Sequence, residues 1–201
     1  MSESVVNTLI NGLFSLVALI AGYFFRILLV WYKGKDSRKF AHVIGRVKDV
    51  YGHIGILRRE TKALRVLVVK AHNGGGKPKL SGPLYASVLY GDWEQNMTDA
   101  SEWVNQRLDE GYVTTLNDML AAGEGWVDMR TENLKDGQLK DMLAADNVEH
   151  AMFFCLAQLH DSLLYLSINF GNANVMQARQ RSIIREIVNN MRALFKAEPV
   201  S

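Results

Sequence analysis

Residues 148–171 read VEHAMFFCLAQLHDSLLYLSINFG, and their side chains sort by parity on either side of a turn near His160 and Asp161. Met152, Phe154 and Leu156, followed by Leu164, Leu166, Ile168 and Phe170, are uniformly apolar. Phe153, Cys155, Tyr165, Ser167 and Asn169 are mixed. A period of two belongs to strands, so the stretch predicts two antiparallel strands over 148–158 and 162–170. A sheet with one greasy and one mixed face carries packed helices on the first and a cavity or shorter elements on the second. The helix required by the greasy face follows at once: MQARQRSIIREIVNNMRALF (176–195) places Ile183, Ile184, Ile187, Val188, Met191 and Leu194 along one broad side.

Earlier in the chain, RVLVVKA (65–71) and PLYASVLYG (83–91) are β-branched or aromatic-rich and bounded by Gly and Pro, and predict two more strands. HNGGGKPKLSG (72–82) joins them. A glycine loop after a strand raises the possibility of a phosphate cradle, but such cradles need a helix N-terminus directly after the loop. Here a strand follows, and Lys77 lacks the Ser or Thr that would hold magnesium. A hairpin connection is the expectation. Between 92 and 147 the chain reads as helical and punctuated: a helix from Asp99 to Gly111, one ending at Gly123, one over 134–147, and a short strand at GWVDMRT (125–131).

Segment 36–64 carries Phe40, Val43, Val47, Val50, Ile54 and Leu57 at alternating spacings of three and four, the seam of a helix that needs a partner. That partner is the same helix of a second chain or a terminal helix of its own domain. Before it, 5–25 reads VVNTLINGLFSLVALIAGYFF without a charge, long enough to cross a bilayer. A cleaved signal peptide would carry positive charge ahead of the run and a small-residue cleavage site, and the charged side chain preceding it is Glu3. Lys33, Lys35, Arg38 and Lys39 follow the run, which places the N-terminus outside and the rest in the cytoplasm. Asn7, Asn11, Ser15, Ala18 and Gly22 share one face of the span and suit close helix association. The organisation expected is an anchor and basic segment (1–35), a connecting helix (36–64) and a globular domain (65–201).

The charge distribution agrees: through Glu60 there are 9 Lys/Arg against 4 Asp/Glu, in a chain of 201 residues with net charge +2. A basic excess confined to the segment after the apolar run suits a membrane surface, and no nucleic-acid partner is expected. Cys155 is the single cysteine, which excludes an internal disulfide and fits a reducing compartment. It has no identifiable His partner. His42, His53, His72 and His150 show no metal-ligand spacing, and His160 beside Asp161 sits at a solvated turn. No catalytic residue, metal or cofactor is expected.

The order of elements resembles a GAF domain, a relative of the PAS sensors, over roughly residues 38–197. The resemblance is carried by RVLVVKA, PLYASVLYG, GWVDMRT, HAMFFCLAQL and SLLYLSINFG ahead of the closing helix. It implies an α+β fold, an antiparallel sheet with the N- and C-terminal helices on one face, often pairing across a dimer, and a small-molecule pocket on the other. The chain departs from the family's ligand binders in lacking an NKxFDE-type motif and a bilin-attachment context around Cys155, and no output domain is expected after the closing helix. The AHNGGG loop on a short anchored chain also resembles proteins of tailed phages. Aromatic residues around short helices are more often core than pocket; the lining expected for a pocket is Trp93, Trp126, Phe153, Tyr165 and Asn169. The expected oligomer face comprises Asn11, Ser15 and Gly22 with Phe40, Val43, Val47, Val50, Ile54 and Leu57. The function expected is non-enzymatic self-assembly and partner binding at a membrane, in a viral envelope, lysis or assembly role; the alternative is a membrane-tethered sensor of a small molecule.

Overall fold

A computed structural model describes residues 43–74, 82–172 and 177–196. The chain divides after Val47 into two compact units, and the architecture below is that of the second, from Lys48 onward. The expected span and Asn11, Ser15, Gly22 and Phe40 lie outside the described residues. Among those described, no helix is long and apolar enough to cross a membrane.

Six antiparallel strands form one sheet: β1 (Arg65–His72), β2 (Tyr85–Trp93), β3 (Gln106–Arg107), β4 (Trp126–Arg130), β5 (His150–Gln158) and β6 (Ser162–Phe170), in the order β3-β2-β1-β6-β5-β4. β1 and β2 are neighbours, so the glycine loop is a hairpin connection, with Gly74 entering it at φ 82°. The parity of 148–171 holds apart from a bulge at Leu156 and Ala157. Met152, Phe154, Leu156, Leu164, Leu166, Ile168 and Phe170 all face one core, together with Val66 and Val68 of β1.

Two helices cover that face. The first, α1, is described over 43–61, and α4 is Ala178–Lys196. α4 buries Ile184, Ile187, Val188 and Met191, one side of a 3.6-residue repeat. α1 inserts Val50, Ile54 and Leu57, and Lys62 ends it in the left-handed conformation (φ 57°) while the Ala63 amide bonds back to the Arg58 carbonyl. The C-terminal half of the seam is thereby corrected: Val50, Ile54 and Leu57 are at most 3 % exposed within their own domain, which leaves them no surface for a second chain. Val43 is exposed and Val47 half-exposed.

The other face carries shorter elements: a 3-10 turn at Ala100–Glu102, α2 (Glu110–Ala121), a second 3-10 turn at Thr131–Asn133 and α3 (Gln138–Ala145). The helix expected over 99–111 is replaced by the 3-10 turn and β3. Asp99 does cap a helical start, its carboxylate accepting from the Ser101 amide at 2.8 Å, but Asn105 is left-handed at φ 54° and the chain turns back to pair β3 with β2. Gly111, read as a helix stop, lies in the first turn of α2, where a Cβ would stand 3.1 Å from the Asp136 carbonyl oxygen. Asp109 holds both helices, accepting from the Tyr112 amide at 2.9 Å and the Gln138 amide at 2.5 Å. Those two amides, Gln138's above all, keep its carboxyl below the usual carboxylate range. α3 begins at Gln138 rather than 134, after Gly137 at φ 151°.

Candidate functional site

The sheet's two faces offer two places where charge meets an apolar surface. On the second face, the first residue of β1 puts a guanidinium into the core: Arg65 is 0 % exposed. Its Nη1 donates to Asp146 Oδ2 at 2.5 Å, an ion pair spanning 81 positions of sequence. Asp146, at the C-cap of α3, also accepts on Oδ1 from the Thr98 amide (3.0 Å) and hydroxyl (2.7 Å). With its amide turned to satisfy both sides, Asn169, the cross-strand neighbour of Arg65, accepts from Arg65 Nε and Nη2 at 3.0 and 3.1 Å and donates to Ser167 Oγ at 2.9 Å. The Trp103 ring covers the guanidinium, its centroid 4.7 Å from Cζ.

Burial pulls the Arg65 pKa down, with the Asp146 charge opposing it, and the guanidinium remains protonated. Burial pushes the Asp146 carboxyl up, but the Thr98 hydrogen bonds and the Arg65 charge together outweigh it and hold the group below its ordinary value. Beside this cluster the Tyr112 and Tyr165 hydroxyls bond at 2.6 Å. Burial raises both phenols, Tyr165 well above its normal range. The free volume among Arg65, Trp103, Tyr112, Leu139, Met142 and Asn169 is about 20 Å³, room for one water. The cluster is closed by its own side chains.

The helical face differs. Between α4 and the β4 side of the sheet runs a groove of about 690 Å³, within the range of small-molecule sites. Phe154, Met152, Ile184 and Val188 form its buried floor. Trp126 lies flat on Phe154, centroids 5.7 Å apart and planes at 16°, and its Nε1 donates to Glu124 Oε2 at 2.7 Å. Arg181, Arg185 and Arg192 line the α4 wall at spacings of four and seven. Arg192 is committed, donating from Nε to the Cys155 carbonyl (2.9 Å) and from Nη2 to the Glu124 carbonyl (3.0 Å). Arg181 and Arg185 are exposed, and among the described residues their side chains form no hydrogen bond or ion pair. Asp128, on the groove's rim, is taken by His150.

The structure thus divides the residues expected to line one pocket. Phe153, Tyr165 and Asn169 belong to the second face, with Trp93 packed against its core, whereas Trp126 is on the helical face. The arginines of α4 had no place in the sequence reading: a polar stripe beside an apolar one reads as a solvated helix surface. Cys155 is half-buried, and desolvation raises its thiol pKa. Among the described residues no group of three His, Cys, Asp or Glu side chains could hold a metal ion.

The fold is GAF-like. The phycoerythrobilin-bound GAF domain of a cyanobacterial phytochrome superposes with a TM-score of 0.53 at 10 % identity, over 79 % of this chain and 90 % of that one. A GAF domain/HD domain protein from Geobacter sulfurreducens gives 0.51 at 11 % identity, covering 74 % and 90 %. The third GAF domain of a Synechocystis protein, in its photoproduct state, gives 0.50 at 12 % identity, covering 75 % and 94 %. No protein-family model matches the sequence. No curated protein matches it either.

Proposed function

We propose that the chain is a non-enzymatic, sensor-type binding module whose GAF-fold domain takes a small ligand in the groove beside α4, tethered to a membrane by its N-terminal apolar segment. The observation that carries it is the groove: about 690 Å³, an apolar and aromatic floor, and two uncommitted guanidiniums on one wall. Its position favours signalling. The wall is α4, which shares a core with α1, the helix that follows the proposed tether in sequence. A ligand that shifts α4 against the sheet therefore acts on the packing of α1.

A second reading, an assembly protein of viral or cellular origin, is favoured by the apolar residues that α1 leaves exposed, Val43, Ile44, Tyr51 and Ile56. Gly123 separates the two. It lines the groove, and a Cβ added there meets nothing within 4 Å, so the backbone accepts a side chain and Gly123→Trp is expected to obstruct the groove. Native mass spectrometry of the full chain extracted from its membranes is expected to find a small molecule retained by the wild type and absent from Gly123→Trp, with the oligomeric state unchanged. Wild type and variant without a ligand, both self-associating, would support the assembly reading instead.

A further inference from the structure

Taking the groove as the ligand site, and resting on that reading, we propose that its ligand is a planar aromatic anion of one or two fused rings, the ring lying on Trp126 and the acid group between Arg181 and Arg185. Three features converge on that class. The indole is a prepared platform: Phe154 supports it from below and Glu124 fixes its Nε1, so little side-chain freedom is lost when a second ring stacks on it. Arg181 and Arg185 are one helical turn apart on the α4 wall of the groove, and among the described residues neither has an ion-pair partner. Each acid in the groove already has a hydrogen-bond partner, Glu124 in the Trp126 Nε1–H and Asp128 in His150, while Arg192 is held by two backbone carbonyls. The arginine pair is the part of the lining free to bind charge, and guanidinium forks match carboxylate or phosphate oxygens.

Ligands lacking either half fit less well. A neutral ring leaves two guanidiniums at the rim with water alone. A bare anion leaves the Trp126 face and the Ile184–Val188 floor wet. Carboxylate and phosphate share the recognition chemistry, and the measurement separates them.

The full chain in detergent is titrated by calorimetry with 2-naphthoate, 2-naphthyl phosphate, neutral 2-naphthol and inorganic phosphate. Saturable binding of at least one of the two aryl anions is expected, with 2-naphthol about tenfold or more weaker and inorganic phosphate showing none. The tighter of the two aryl anions identifies the acid group. The double variant Arg181→Ala/Arg185→Ala is expected to lose about tenfold or more in affinity for the aryl anion. Its thermal midpoint should stay within about 2 °C of wild type, since both side chains are exposed and have no partner among the described residues. Equal affinity for 2-naphthol, tight binding of bare phosphate, an unaffected double variant or no aryl-anion binding overturns the assignment. A neutral or non-aromatic molecule recovered from wild type and lost in Gly123→Trp would overturn the ligand class while leaving the groove as the site. No recovered molecule and no aryl-anion binding would overturn both.

Discussion

Both faces of the sheet carry arginine against an apolar surface, and they use it in opposite ways. Arg65 is wholly inside, ringed by Asp146, Asn169 and Trp103, with space left for about one water. Arg181 and Arg185 stand at the rim of an open groove with no side-chain partner among the described residues. A charge removed from water must be met by its own protein, or the fold does not tolerate it. A charge at a rim keeps its hydration until something better arrives. On the proposed reading the second face serves structure and the helical face binding, whereas the resemblance to GAF domains implied a pocket on the second face.

The largest effect that could break this contrast lies in the buried ion pair. Asp146→Ala strands the Arg65 charge and is expected to cost about 3–5 kcal/mol in denaturant unfolding. The double variant Arg65→Met/Asp146→Leu should recover most of that loss, because it removes both desolvated charges together. If the single and double variants are equally unstable, the cluster does more than satisfy itself. The pH dependence has a fixed sign. Asp146 is held below its ordinary pKa in the fold, so its contribution is complete above the unfolded carboxylate value of about 3.9 and disappears as pH falls through the folded value. Wild type should therefore lose stability more steeply than the double variant below about pH 4.

A smaller effect sharpens the same contrast. Tyr165→Phe leaves the buried Tyr112 hydroxyl without its 2.6 Å partner and is expected to cost about 1–3 kcal/mol, whereas Tyr112→Phe/Tyr165→Phe should cost less than the single change. Chemical denaturation of the three proteins checks this. An additive double variant would mean that the two hydroxyls do not depend on each other.

Much of the fold was legible because it rests on local period. Strands β5 and β6 are long, and their parity holds except at the bulge between Cys155 and Ala157, where Leu156 and Ala157 both join the helical-face core. The stripe Ile184, Ile187, Val188 and Met191 marks α4 directly. Segment 99–111 was not legible, since a capping Asp followed by Ala-Ser-Glu announces a helix that Asn105 then breaks by turning left-handed, a conformation with no sequence signature as strong as a glycine's. The sites were harder still. Arg65 opens a strand, where a charge ordinarily faces water, and nothing near it announces an aspartate 81 positions away. Trp126 sits in a five-residue edge strand, too short for parity to decide its face. Arg181 and Arg185 acquire meaning only once α4 lies across β5, with Trp126 of β4 beside it.

Amide hydrogen exchange of the full chain, read by mass spectrometry with and without saturating 2-naphthoate, tests the division of labour between the faces most directly. Protection is expected at 123–128 and 181–192, which line the groove, with 98–112 and 138–146 unchanged. Protection confined to 98–112 and 138–146, with the groove segments unaffected, would contradict the account by placing the ligand beside Arg65.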